Sequence, residues 1–171
     1  QDGRASDMTQ DIKAVALMPG SGEFALATTP VHYDLGLGRK QSINVNSPSY
    51  RSDIATSLKM LEEELPNCKA ASLVVSWFGD DLRCNLCEIR PKVEQKELEG
   101  DRLQWSVAGL DRASAEAIPL ESERPVYGGT PSDNSVLESI AELRARGQAV
   151  MFCPFILMDQ LAGNGLADPW S

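Results

Sequence analysis

Two stretches of the chain pair a one-sided apolar helix with an unbroken apolar run. In the first, Ile54, Leu58, Leu61 and Leu65 recur at helical spacing along one stripe. Ser52 supplies a capping hydroxyl, Asp53 suits the first turn, and Pro66-Asn67 ends the helix. Ala70 to Phe78 (AASLVVSWF) then runs apolar without alternation, the pattern of a strand covered on both faces in a parallel sheet, and Gly79-Asp80-Asp81 closes it. In the second, Thr130 predicts a cap, Pro131 the first helical position, and Asp133 a reply three residues on. Val136, Leu137, Ile140 and Leu143 form the predicted buried stripe; Arg144 and Arg146 suit the helix C-terminus and Gly147 its stop. Ala149 to Met158 (AVMFCPFILM) predicts a second buried strand, with Pro154 marking a bulge or its end, and Asp159 follows at once.

The remaining pattern is more broken. Residues 1–10 are polar and small, as in a linker. Ala14 to Met18, a turn at Pro19-Gly20-Ser21-Gly22, and Glu23 to Thr29 predict an N-terminal β-hairpin. Asp34 to Pro48, rich in Gly, Asn and Ser, reads as a long loop of the functional or interface-forming kind. Ile89 to Val93 and Leu103 to Val107 predict an inserted β-hairpin separated by a polar stretch, and Asp111 to Glu123 reads as loop with one helical turn. Helix–strand, insert, helix–strand is an α/β pattern with parallel pairing. It divides the chain into a leading segment, residues 1–50, and a helix–strand domain, residues 51–171, with an insert at 84–123.

Composition narrows the classes. With 171 residues, 42% apolar and 24% charged, the chain is an ordinary globular sequence. It is shorter than the roughly 250 residues of a complete TIM barrel. Because it starts at Gln1 and ends in the turn-like Asp168-Pro169-Trp170-Ser171, it is expected to be part of a longer polypeptide. A net charge of −9 and the lack of any Lys/Arg run argue against nucleic acid or an anionic membrane as partner. The longest apolar run, Met151 to Met158, is too short to span a bilayer. Cys84-x-x-Cys87 lacks the second close pair of a zinc site, since Cys68, Cys153 and the single histidine, His32, stand apart. Ordinary thiols are therefore expected, with a disulfide between them as the alternative. No metal or cofactor is predicted.

Parallel α/β folds gather functional groups just past the carboxyl ends of their strands. Trp77, Asp80 and Asp81 fall at one such end, Asp159 at the other, and Tyr127 precedes the tight Gly128-Gly129 turn. Aromatic rings stacking on sugar faces and carboxylates accepting hydroxyl hydrogens make these five residues glycan-binding candidates. Each also has a structural alternative: Trp77 as core, Asp80 and Asp81 as caps or partners of Arg83, Asp159 as a turn residue. No pair of carboxylates at the spacing of a glycosidase is legible, and His32 has no nucleophile elbow to serve.

SLVVSWFGDDLRC (Ser72 to Cys84), IRPKVE (Ile89 to Glu94), RPVYGGTPSD (Arg124 to Asp133) and FCPFILMDQLAGNGLADPW (Phe152 to Trp170) together resemble the "megatron" baseplate hub proteins of gene transfer agents and related siphophages. DMTQ and AVALMPGSGEFALATTPVHYD, within Asp7 to Asp34, extend the likeness upstream over nearly the whole chain. The resemblance implies a virion component at the tail tip. It implies a glycoside-hydrolase-like TIM barrel of which this chain is a partial, early section, and contacts with other tail-tip and baseplate proteins and with host surface glycan. Trp77, Asp80, Asp81, Tyr127 and Asp159 would then face the barrel mouth. The carboxylates of hydrolysis would lie on later strands, leaving this section alone inactive. The long inserts between the two helix–strand units depart from a plain barrel.

Overall fold

The computed structural model describes residues 7–18, 22–159 and 165. In chain order the elements are α1 (Met8–Asp11), β1 (Ala14–Leu17), β2 (His32–Asp34), β3 (Lys40–Ser42), α2 (Asp53–Glu64) and β4 (Ala70–Gly79). A series of very short strands follows: β5 (Ile89–Arg90), β6 (Lys92–Val93), β7 (Ser106–Val107), β8 (Leu110–Asp111), β9 (Glu116–Ala117), β10 (Leu120–Glu121) and β11 (Arg124–Pro125). Helix α3 (Asp133–Ala145) and strand β12 (Ala149–Met158) complete the described chain. The predicted turn at Pro19-Gly20-Ser21 and the segments 160–164 and 166–171 lie outside the described residues.

The α/β pattern is realised in one parallel sheet. β4 lies between β1 and β12 and is parallel to both, with β5 antiparallel at its carboxyl end. β12 is in register with β4 along its length, from Ala149 opposite Ala70 to Met158 opposite Gly79. Parallel neighbours need a crossover, which α2 supplies between β1 and β4 and α3 between β4 and β12. Both helices cover the same face of β4: Ile54, Leu58 and Leu143 join Ala71, Leu73 and Val75 in one buried cluster. The described strands do not close into a barrel.

The helix ends follow local chemistry. Ser52 Oγ accepts from Ala55 N at 3.4 Å at the start of α2. Gly147 takes the left-handed φ of 76° after α3, and its N–H and that of Gln148 return to Arg144 O and Leu143 O. The predicted cap Thr130 is not the cap. Ser132 is, accepting from Ser135 N at 3.2 Å, while Thr130 is buried in a two-way bond with the backbone of Lys92. Leu137 is exposed rather than part of the buried stripe. Four-residue spacing puts Ser135 and Ser139 in line with Leu143, and their hydroxyls donate to Glu23 O at 3.4 Å and Leu26 O at 2.5 Å.

Other expectations are corrected by how backbone groups are satisfied. Residues 23–29 are turns, not the second strand of a hairpin. Phe24, Leu26 and Ala27 point into the core, and the buried Asn44 amide donates to the carbonyls of Phe24, Ala27 and Thr29 at 3.2, 3.1 and 3.0 Å. That side chain replaces a strand partner. The N-terminal hairpin is instead β2–β3, whose turn and second strand fall inside the stretch predicted as loop. In the insert, residues 89–93 and 103–107 do not pair. Pro91 splits the first run, so β5 joins β4 while β6 pairs in parallel with β9. The antiparallel pairs are β7–β8 and β10–β11, each turned by residues with positive φ: Ala108-Gly109 and Ser122-Glu123. The stretch 111–123 thus carries short strands as well as the single predicted turn, closed by Ala115 N to Asp111 O at 3.0 Å.

The insert builds its own cluster from Phe24, Ala27, Val31, Val93, Trp105, Val107 and Ala115. Trp105 Nε1 donates to Thr130 O at 2.8 Å. Beside it Arg112 donates to Glu23 Oε1 and Oε2 at 2.9 and 2.5 Å, to Glu99 at 2.7 Å and to Gln95 O at 2.8 Å. Burial pushes the Glu23 carboxyl above its ordinary value, against the pull of Arg112. β12, predicted as buried, is an edge: Phe152 and Phe155 are 51% and 48% exposed. An apolar run signals cover on both faces, but in the described residues β12 has a neighbour on one side alone, where Pro154 is tolerated.

Candidate functional site

At the carboxyl end of the sheet the last residues of β4 and β12 meet. Asp159 N donates to Gly79 O at 2.8 Å, continuing the parallel ladder by one bond. At Gly79 a Cβ would lie 2.9 Å from Cys87 Sγ and 3.3 Å from Ile156 and Met158, so any other residue there requires those side chains to shift. The loop that follows is closed by its own carboxylates. Asp80 accepts from Glu88 N at 2.8 Å. Asp81 accepts from Arg83 through the backbone N at 2.8 Å, Nε at 2.9 Å and Nη2 at 2.6 Å. The Arg83 side chain, then its amide, holds the Asp81 carboxyl down to about 2. Cys84 and Cys87, on the same loop, are free thiols, as are Cys68 and Cys153. Among the described residues no group of three His, Cys, Asp or Glu side chains is placed to hold a metal.

Lys92 brings the insert to this end. Its Nζ binds Asp159 Oδ2 directly and Glu116 Oε2 at 3.1 Å. Arg90 pairs in turn with Glu116 and Glu88, so a chain of alternating charge runs from the exposed loop to the buried Asp159. The Lys92 and Asp159 side chains are 10% and 4% exposed. Burial works to lower the Lys92 pKa, but the bonds to Asp159 and then Glu116 outweigh it and raise the value. Lys92, then Arg90, holds Glu116 below the usual carboxylate range. Asp159 Oδ1 is buried and has no hydrogen-bond partner among the described residues.

An aromatic pair stands beside these charges. The Phe78 and Tyr127 rings are 6.1 Å apart and tilted by 46°; Phe78 is buried and Tyr127 exposed. Gly129 lets this segment close on the insert, since a Cβ would come within 2.6 Å of Glu23 Cγ and 3.1 Å of Lys92 O. A cavity of about 250 Å³ opens on the face of the sheet away from the helices, walled by Val74, Ser76, Phe155 and Leu157 on the strands and Tyr127 and Gly128 above. A larger cavity, about 470 Å³, lies at the amino end of the sheet, but no ionisable side chain lines it. Chemistry therefore concentrates at the carboxyl end.

The five sequence candidates do not form one constellation. Asp159 and Tyr127 belong to the strand-end cluster. Asp80 and Asp81 are engaged in closing their loop. Trp77 projects to the helix-facing side, packed between the two hydrophobic clusters. Lys92 was not among the candidates: a lysine in a short strand after a proline carries no motif, and only the fold sets it against Asp159. Among the described residues no helix is long and apolar enough to cross a membrane. No protein-family model and no curated protein matches the chain.

Proposed function

We propose that this chain is part of a tail-tip baseplate hub protein of a phage or phage-like particle. In this reading it forms early helix–strand units of a glycoside-hydrolase-like barrel that acts as scaffold and as a contact surface for host-envelope glycan. The hub assignment rests on the sequence resemblance. The observation that supports the barrel is the one-sided covering of the sheet. Both crossover helices pack on one face of β4, while Ala14, Ala16, Ala70, Ser72, Val74 and Ser76 alternate onto the other. A helix-free face suits the inside of a barrel, whereas a doubly wound sheet has helices on both faces. Immunogold labelling of intact particles tests the location: gold at the tail tip is expected, and gold confined to the head, or none, overturns the hub reading.

A second reading, an active glycoside hydrolase, draws on Asp159 and Glu116 meeting at one lysine. A glycosidase needs one carboxyl kept protonated as the acid. Here both carboxylates are bound to the one Lys92 ammonium, and Glu116 is held below its usual range, which suits a base or nucleophile and not the acid. Release of reducing ends from cell-wall or capsular glycan by the complete protein would establish the hydrolase instead.

A further inference from the structure

We propose that Asp159 and Lys92 form a subsite for adjacent hydroxyls of a neutral sugar. The inference shares with the proposed function the premise that the strand ends meet glycan. It adds the ligand class and a residue, Lys92, that no motif marks.

The argument starts from unspent hydrogen-bonding capacity. An ionised carboxylate accepts on both oxygens, and an ammonium carries three donors. Asp159 Oδ2 is taken by Lys92, but Oδ1 is buried and, among the described residues, unpartnered. Lys92 Nζ spends donors on Asp159 and Glu116, leaving a third. A buried acceptor without a donor is costly and rare in folded proteins, so a group that fills it is favoured. One acceptor and one donor on a single ion pair match a vicinal diol: one hydroxyl donates to Oδ1 while its neighbour accepts from Nζ.

The surroundings select the rest of the ligand. Leu157, two residues before Asp159 on β12, walls the 250 Å³ cavity together with Tyr127 and Phe155. These give apolar and aromatic surface of the kind that takes the carbon face of a pyranose. Lys92 offsets Asp159, and Arg90 pairs with Glu116, so a neutral ligand adds no unpaired charge at the buried end. An anionic sugar would set its charge against Asp159 and Glu116.

Binding of chitotriose, maltotriose and mannotriose to the complete protein is measured by calorimetry, with Asp159→Asn as the variant. Its amide keeps the shape but presents a donor where Oδ1 accepts, and thermal melting checks that the fold is kept. At least one trisaccharide is expected to bind, with a loss of about tenfold or more in the variant. As a readout independent of any variant, the sugar that binds should shift the Asp159 carboxyl carbon and Lys92 ammonium nitrogen resonances saturably. Equal affinity in the two proteins, or no sugar bound and a lone water on Oδ1 in a crystal structure, overturns the subsite. Protein that fails to bind sugar yet labels at the tail tip overturns this inference alone. Protein that binds sugar but is missing from the tail overturns the hub reading alone.

Discussion

Arg112→Met tests the account of how the insert is held to the sheet. Glu23 and Arg112 are 1% and 4% exposed in their side chains and joined by two hydrogen bonds. Removing the guanidinium leaves Glu23 buried with the Glu94 amide, at 2.7 Å, as the remaining donor to its carboxylate among the described residues. Breaking such a pair from one side costs about 3–5 kcal/mol. For a chain of this size that is a fall in melting temperature of about 6–20 °C. Glu23→Leu/Arg112→Met removes both charges, and Glu99, on the surface side, can be solvated. The orphaned Glu94 N–H still costs about 1–3 kcal/mol, so the double variant should be more stable than the single one. Urea unfolding of wild type, both single variants and the double variant, as a cycle, reads these values. The pH dependence has a fixed sign. Without Arg112 the buried Glu23 binds a proton more tightly folded than unfolded, so stability rises as pH falls. The Arg112→Met deficit should therefore shrink between pH 7 and pH 5. A single-variant cost under about 1 kcal/mol, or a double variant as unstable as the sum of the singles, would refute the reasoning.

Three other outcomes follow from the geometry. Lys40, then the His32 amide, holds the Asp101 carboxyl below its ordinary 3.8, so its contribution is present above that value and lost as pH falls below it. The protection factors of the His32 and Asp101 amides, which tie β2 to the insert, should fall in acid before those of β4. Gly129→Ala forces a Cβ against Glu23 Cγ at 2.6 Å and Lys92 O at 3.1 Å, and should cost about 1–3 kcal/mol in chemical denaturation. Gly147→Ala meets nothing within 4 Å but keeps a φ of 76°, so its cost should be backbone strain alone, about 1 kcal/mol in the same assay.

The helix–strand units were legible because their signals are local. Ser52 with a proline at the far end, and Gly147 after a one-sided stripe, set helix ends by capping and by the loss of backbone donors. Two apolar runs following helices were enough for parallel pairing, since a crossover leaves few alternatives. What failed was partnership at long range. Whether Glu23–Thr29 is strand or turn depends on Asn44, and whether Ile89–Val93 pairs with its neighbour or with β4 and β9 depends on where Pro91 lets each half go. The cover on β12 is likewise invisible in an apolar run, which reads the same at an edge as at the centre.

The site divides in the same way. Asp159 and Tyr127 could be picked from the sequence because strand ends and glycine turns are local features. The partner of each could not, because side-chain neighbours at this end come from segments 67 residues apart, Lys92 and Asp159, and the pairing exists only once β6 is folded over the ends of β4 and β12. By itself the sequence determined α2 and α3, the parallel pairing of β4 with β12 and the strand ends that carry Asp80, Asp81 and Asp159, all consequences of backbone periodicity and capping. Tertiary structure alone decided that Asp80 and Asp81 close their loop, that Trp77 packs between the clusters, and that one buried oxygen of Asp159 faces no donor among the described residues. Burial and charge pairing are properties of what comes together in space, and no local pattern encodes them.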